Sequence, residues 1–437
     1  MRQKPIIVIG GGLAGSEAAW QLAERGLDVN LFEMRPTRKT EAHQTSRLGE
    51  LVCSNSFGSN QAHGASGILK SELTALNSLL LRLAQEAAVP AGASLAVDRD
   101  RFAALVTEHI ESHPRIHIQR EAINEIPKDS YVIIATGPLT TKELSESLCK
   151  LIGQESLFFY DAISPIVSTD SLDLDQMFFA NRYDKGETED FLNIPLTREQ
   201  YETFVNDLLT GDCVLPHNFE KEKYFESCMP IEAIAARGPK TLSFGPLKPV
   251  GLTDPKTGRW PFAAIQLRTE NQHKTAYNLV GCQTKLKYGE QLRIFRKLPG
   301  LENAEFLRLG SMHRNTYINS PQLLSSQLEL REHPGIFIAG QLTGTEGYLE
   351  SVATGLVAGI NLANCISESS PLEPPAETIL GSLLGYISDP ERKKFQPTNV
   401  NMGLLPPLEV PVRKDKKLRN QKYAERSTAK MSQWLSS

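Results

Sequence analysis

The stretch Pro5–Glu33, PIIVIGGGLAGSEAAWQLAERGLDVNLFE, decides how the rest of the chain is read. Ile6 to Ile9 is a continuous apolar run, as a parallel strand covered on both faces should be. Gly10, Gly11 and Gly12 break that run, and Leu13, Ala14 and Gly15 complete the pattern G-x-G-x-x-G. Ala14, Ala18, Ala19, Leu22 and Ala23 recur at helical spacing, and Gly26 ends the helix. Val29 to Phe32 make a second strand, with Glu33 at its carboxyl end. Bare glycine backbone lets a pyrophosphate approach the helix N-terminus, whose unpaired N–H groups favour an anion. An acid about 20 residues later is placed to accept a ribose hydroxyl. The order predicts a Rossmann-type dinucleotide-binding unit held by Gly10–Gly15 and Glu33. A tight turn without a ligand would leave Glu33 unexplained.

With 437 residues and 40% hydrophobic content, the chain can bury two moderate cores, so two domains are expected. The apolar run behind the basic start MRQK is too short for a signal peptide, and no later run is expected to reach the roughly 20 residues of a membrane span. Six cysteines, at 53, 149, 213, 228, 282 and 365, form no C-x-x-C pair and no metal-ligand spacing. That usage predicts reduced thiols in a cytoplasmic protein, with neither a disulfide framework nor a metal site. A net charge of −4 leaves nucleic acid open, because a basic patch can be local.

Two later stretches extend the first motif. SYVIIATGPLT, Ser130–Thr140, is a buried strand ending in Ala-Thr-Gly, and HPGIFIAGQLTGTEGYLESVATGLVAGINLA, His333–Ala363, runs from a strand through a glycine-rich bend into a small-residue helix. Together with the opening motif they resemble the two-dinucleotide-binding-domain flavoprotein superfamily. That resemblance implies an α/β fold whose Rossmann-type FAD-binding domain is discontinuous, residues 1–145 and 305–437. A smaller α+β substrate domain, residues 146–304, is then inserted, and Gly137, Gly340, Gln341, Gly344 and Gly347 approach the cofactor. Only one complete glycine fingerprint is present, so NADH or NADPH is expected to visit as reductant without a Rossmann domain of its own.

Two cysteines stand apart from the four whose surroundings suit a small buried hydrophobe. Cys53, in LGELVCSNSFGSN (Leu48–Asn60), precedes Ser54, Asn55, Ser56, Gly58 and Ser59, a polar and flexible loop by composition. Cys228, in SCMPIEAIAARG, lies just before a helix expected to start at Pro230 and stop at Gly238, where a helix N-terminus lowers a thiol's pKa. Disulfide reductases keep their pair a few residues apart, whereas 175 positions separate these two. A second chemistry needs a thiolate that adds to C6 of a uracil, a base that removes the C5 proton, and a hydride donor.

The opening motif, LVCSNSF, SCMPIEAIAARG and AGQLTGTEGYLESVATGLVAG together resemble the folate- and FAD-dependent tRNA (uracil-5-)-methyltransferase family, essentially end to end. The resemblance implies transfer of the methylene carbon of 5,10-methylenetetrahydrofolate to the T-loop uridine of tRNA, giving ribothymidine, with reduction through FAD by NADH or NADPH. It also implies catalytic thiols at Cys53 and Cys228. Cys53 is favoured as nucleophile and Cys228 as base, with an exchange of roles left open. Rival readings are a wobble-uridine carboxymethylaminomethyl-modifying flavoprotein, a small-molecule NAD(P)H flavin oxidoreductase, and an RNA-binding protein with structural FAD.

The terminal segment 412–437 is basic: between Val412 and Lys430, eight Lys or Arg face only Asp415 and Glu425. This segment, MHRNTYI (Met312–Ile318), and Lys285, Lys287 and Arg293 are the expected tRNA contacts, each equally readable as solvated surface.

Overall fold

Ile6–Ile9 is the central strand of a five-stranded sheet whose neighbouring strands all pair in parallel. Across the sheet the order is Ile336–Ile338, Tyr131–Ile134, Ile6–Ile9, Val29–Phe32 and Ile116–Gln119. The computed structural model describes residues 4–40, 42–154, 157–184, 189–214, 224, 228–393, 395–412 and 415–436. Every side chain of Ile6–Ile9 is buried, which is why the run shows no polar alternation. Strand Ile336–Ile338 reaches this sheet from far along the chain, pairing Phe337 with Ile133.

Two helices lock that late segment onto the first. Leu13–Glu24 and Tyr348–Ile366 cross in close backbone contact. A Cβ on Gly355 would stand 2.3 Å from the Ala14 carbonyl oxygen, and one on Gly359 would stand 2.7 Å from that of Ala18. Tyr348–Ile366, at 19 residues, is long and apolar enough to cross a membrane, contrary to the expectation that no later run approaches a span. Here it is a core helix: 78% of its apolar window is buried inside the protein.

Between these halves lies a six-stranded sheet in the order Phe178–Phe179, Leu192–Leu196, Ala263–Thr269, Ala276–Val280, Ile166–Ser168, Phe306–Arg308, with antiparallel pairing throughout. It has its own core, built from residues such as Ile194, Phe204, Ile265, Leu279 and Phe295. A two-stranded ribbon, Leu157–Ala162 against Met312–Tyr317, carries the chain out to this sheet and back, and its register sets Asp161 opposite His313.

The basic terminal segment is a helix, Lys416–Leu435, started by the Asp415 side chain accepting from the Leu418 N–H. Ala424, Ser427 and Met431 face inward. Ser427 Oγ donates to buried Glu72 at 2.6 Å, and Glu72 also accepts from the N–H groups of Ile379 and Leu380. Lys416, Lys417 and Lys422 remain exposed; Arg413 and Lys414 lie outside the described residues.

The crossing of the two helices sets a testable requirement. Gly355→Leu forces a side chain into the Ala14 backbone and should cost about 3 kcal/mol or more. A melting curve with an unchanged Tm and full flavin absorbance would refute that packing.

Candidate functional site

The glycine turn forms a cradle. Gly10, at φ +104°, leaves no room for a Cβ, which would meet the Ala135 oxygen at 2.6 Å, and a Cβ on Gly15 would fall 1.7 Å from the Gly10 oxygen. These two glycines serve close packing. At Gly12, by contrast, no atom lies within 4 Å of a Cβ, so bare backbone faces a cavity at the start of helix Leu13–Glu24. That cavity is lined by Gly10, Gly12, Leu13, Ala14, Glu33 and Gly137 among others. Gly137 adopts φ +67° with open space at its Cβ position. An anion-attracting helix start beneath an unobstructed glycine fits the pyrophosphate of an adenine dinucleotide.

Glu33 lines this cavity, but its carboxylate is also a structural hub. Its oxygens accept from the Gly11 N–H at 3.0 Å and from the Arg35 N–H and guanidinium. Arg35 in turn pairs with Glu50 at 2.8 Å. A ribose hydroxyl would therefore share Glu33 with Arg35, a buried partner that no sequence pattern singled out. Despite its burial, the Glu33 carboxyl is held below the usual range by Arg35 and the Gly11 N–H.

A second cavity adjoins the first; Val52, Pro138, Gln341 and Tyr348 line both. Cys53 and Cys228 meet there. Their side chains are hydrogen-bonded to each other, although they come from opposite ends of a long separation in sequence. Asp161, His313, Asn315 and Glu346 complete the wall.

The Cys53 loop is pinned, not flexible as its composition suggests. The Cys53 N–H donates to Tyr348 Oη at 2.7 Å, Arg99 donates to the carbonyls of Leu51 and Cys53, and Arg308 donates to that of Val52. Arg99 is itself paired with the Glu270 carboxylate. A loop this polar is ordered because groups from three other segments, two guanidiniums and a phenol, satisfy its backbone.

Cys228 also departs from expectation. Its thiol pKa is raised well above the ordinary value, not lowered. The hydrogen bond to Cys53 holds the proton on sulfur, burial disfavours the thiolate, and the acidic surroundings that include Asp161 add to both. The helix that follows, Ile231–Ala235, has only five residues and ends before Gly238, so its dipole is too small to reverse these effects. Among the remaining cysteines Cys282 is buried as expected, Cys149 and Cys213 are half-buried, and Cys365 is exposed, not buried.

Gly340, Gly344 and Gly347 all take positive φ in the bend before helix Tyr348–Ile366, and Gln341 donates to Glu346 beside the thiols. Burial raises the Glu346 carboxyl well above its ordinary range. MHRNTYI is a strand of the ribbon, and His313 and Asn315 are buried against the cavity, not on open surface. Arg293 and Lys287 are engaged by Glu290, Asp207 and Asp212, and Lys285 donates to Tyr224 Oη. Asp161, Arg99 and Arg308 escaped sequence reasoning because each sits in an ordinary-looking strand or helix start. Among the described residues, no group of three or more His, Cys, Asp or Glu is arranged to hold a metal ion.

Fold and cradle define a flavoprotein of the two-dinucleotide-binding-domain class. The backbone is similar to that of GidA from Aquifex aeolicus in two crystal forms, with TM-scores of 0.71 and 0.70 at 18% identity. These alignments cover 99% and 98% of this chain and 73% and 76% of those chains. At that identity the likeness concerns the fold alone. Residues 5–370 match the family model described as glucose inhibited division protein A. The methylenetetrahydrofolate–tRNA-(uracil-5-)-methyltransferase TrmFO of Geobacter sulfurreducens is 53% identical over 98% of both chains. The enzyme of that name from Natranaerobius thermophilus is 51% identical, over 98% of this chain and 99% of its own. The chain belongs to the glucose inhibited division protein A family and, within it, to the methylenetetrahydrofolate–tRNA-(uracil-5-)-methyltransferases.

The contact between the thiols can be read directly. Cys53→Ala removes the foremost cause of the raised Cys228 pKa, so the pH midpoint for alkylation of Cys228 by iodoacetamide should move down. A midpoint that stays in place would mean that the sulfurs do not interact.

Proposed function

We propose that this protein methylates C5 of a uracil in tRNA, the T-loop uridine, taking its carbon from 5,10-methylenetetrahydrofolate. The observation that carries this is the pair of hydrogen-bonded thiols in a cavity that adjoins the dinucleotide cradle. The names and high identity of the curated relatives support the same reaction.

Cys53 and Cys228 divide two roles. One sulfur, as thiolate, adds to C6 of the uracil, which makes C5 a carbon nucleophile toward the one-carbon unit. The other removes the C5 proton after that bond forms. With the sulfurs adjacent, both reach one pyrimidine edge without movement of the backbone, and the guanidinium-pinned loop keeps Cys53 in position. FAD, held by Gly10–Gly15 and approached by Gly137 and the Gly340–Gly347 bend, supplies when bound the hydride that completes the methyl group, with NADH or NADPH as the source of its electrons. A target base must leave its stack for its C5–C6 edge to reach the two sulfurs in this cavity.

For tRNA, the exposed Lys416 and Lys417 are the favoured phosphate contacts. They occupy the first turn of helix Lys416–Leu435, where the helix dipole disfavours cations, so folding alone does not explain them. A cytoplasmic setting accords with free thiols at the reacting centre.

Incubating the yellow protein with unmodified tRNA, methylenetetrahydrofolate and NADPH should yield 5-methyluridine on nucleoside analysis, and neither Cys53→Ala nor Cys228→Ala should form it. Product from either variant would remove that sulfur from the chemistry. Replacing Lys416 and Lys417 with Gln should weaken tRNA binding and lower the salt-dependence slope by up to about 2, with flavin content unchanged. An unaltered slope would return the helix to a purely structural role.

A further inference from the structure

Whether Cys228 serves as nucleophile or as base, it must act as a thiolate, yet the resting site keeps its proton on sulfur. A proton acceptor is needed within reach. Asp161, on the ribbon strand Leu157–Ala162, is hydrogen-bonded to the Cys228 side chain. Its Oδ2 accepts from Asn315 Nδ2 at 3.5 Å, while its Oδ1 is buried and, among the described residues, has no hydrogen-bond partner. Leaving a carboxylate oxygen unsatisfied is costly, and such groups persist where something arrives to meet them. Among the described residues that line this cavity, the other titratable groups are Cys53, Glu346, Tyr348, Glu350, whose carboxylate accepts from the Val400 N–H, and, across the ribbon from Asp161, His313. Glu346 is a poor acceptor, because burial and the neighbouring acids keep it protonated and its Oε1 is occupied by the Gln341 amide. His313 Nε2 is engaged with Ser311 Oγ at 2.9 Å.

We propose that Asp161 takes the Cys228 proton when substrate arrives. The S–H bond breaks as an O–H bond forms on the carboxylate, leaving the thiolate to react. Acting as nucleophile, Cys228 takes the proton back when its bond to C6 breaks; acting as base, it keeps the C5 proton and Asp161 releases the first proton to solvent, so in either case the carboxylate ends the cycle as it began. Asp161 acts through Cys228 and is a positioning residue in the methyl-transfer reaction on which this inference rests. Burial raises Asp161 to about 6, which leaves it ionised at neutral pH and brings its proton affinity nearer to that of a thiol.

At rest the same negative charge helps hold the proton on Cys228, so removing it has two opposed effects. In the flavin-loaded protein without tRNA or folate, Asp161→Asn should lower the pH midpoint for alkylation of Cys228 by iodoacetamide, followed by peptide mapping. With tRNA, methylenetetrahydrofolate and NADPH present, the same variant should methylate about 100-fold more slowly. A merely structural role would not raise thiol reactivity while lowering turnover. Asp161→Glu, which keeps the carboxylate, should retain the high midpoint and part of the rate, and it carries the test if the Asn variant fails to hold flavin. An unchanged midpoint overturns the proposal, as does methylation by the Asn variant at the wild-type rate. If wild type makes no 5-methyluridine, the proposed function fails, and with it the role of Asp161 in turnover; the alkylation midpoint still reports separately on the Asp161–Cys228 contact.

Discussion

The structure depends on one close approach, the contact of helix Tyr348–Ile366 with helix Leu13–Glu24 through Gly355 against Ala14 and Gly359 against Ala18. No side chain larger than hydrogen fits at either glycine. This contact joins a segment near the end of the chain to the first motif, and strand Ile336–Ile338 is carried into the sheet with it. The Gly340–Gly347 bend then stands over the start of the first helix, and Tyr348 reaches Cys53. Cradle, bend and thiol loop thus share one rigid support.

The second constraint is electrostatic. Arg99 and Arg308 bind three successive carbonyls of the loop that carries Cys53, and Glu270 balances Arg99. Buried guanidinium groups paired in this way are costly to disturb, because removing one partner leaves the other uncompensated. On the opposite side, Asp161 and Glu346 surround Cys228 with acidic groups. The two sulfurs therefore sit in unlike surroundings although they touch, which suits a reaction that asks different things of them.

Much of this was legible in the sequence. The run Ile6–Ile9, the glycine pattern and Glu33 are local features with narrow physical meanings, and the parallel strand and the cradle follow from them. Other elements resisted local reading. The Cys53 loop looks flexible because the groups that order it lie far away in sequence. Cys228 looked acidified because a helix start is visible in the chain, whereas the burial and the neighbouring acids that oppose it are not. Tyr348–Ile366 reads locally as a small-residue helix, but which glycines take a neighbouring backbone, Gly355 that of Ala14 and Gly359 that of Ala18, is set only by packing.

By itself, then, the amino-acid order determined the nucleotide-binding unit, the presence of two unusual cysteines and the basic end of the chain, since each is written in adjacent residues. Only the tertiary structure decided that the sulfurs meet, that Asp161 joins them and that Glu33 is shared with Arg35. Those facts depend on side chains that meet only once the backbone has folded, and for the sulfurs and Asp161 on segments remote along the chain, whose separation is fixed only after packing has closed the loops between them.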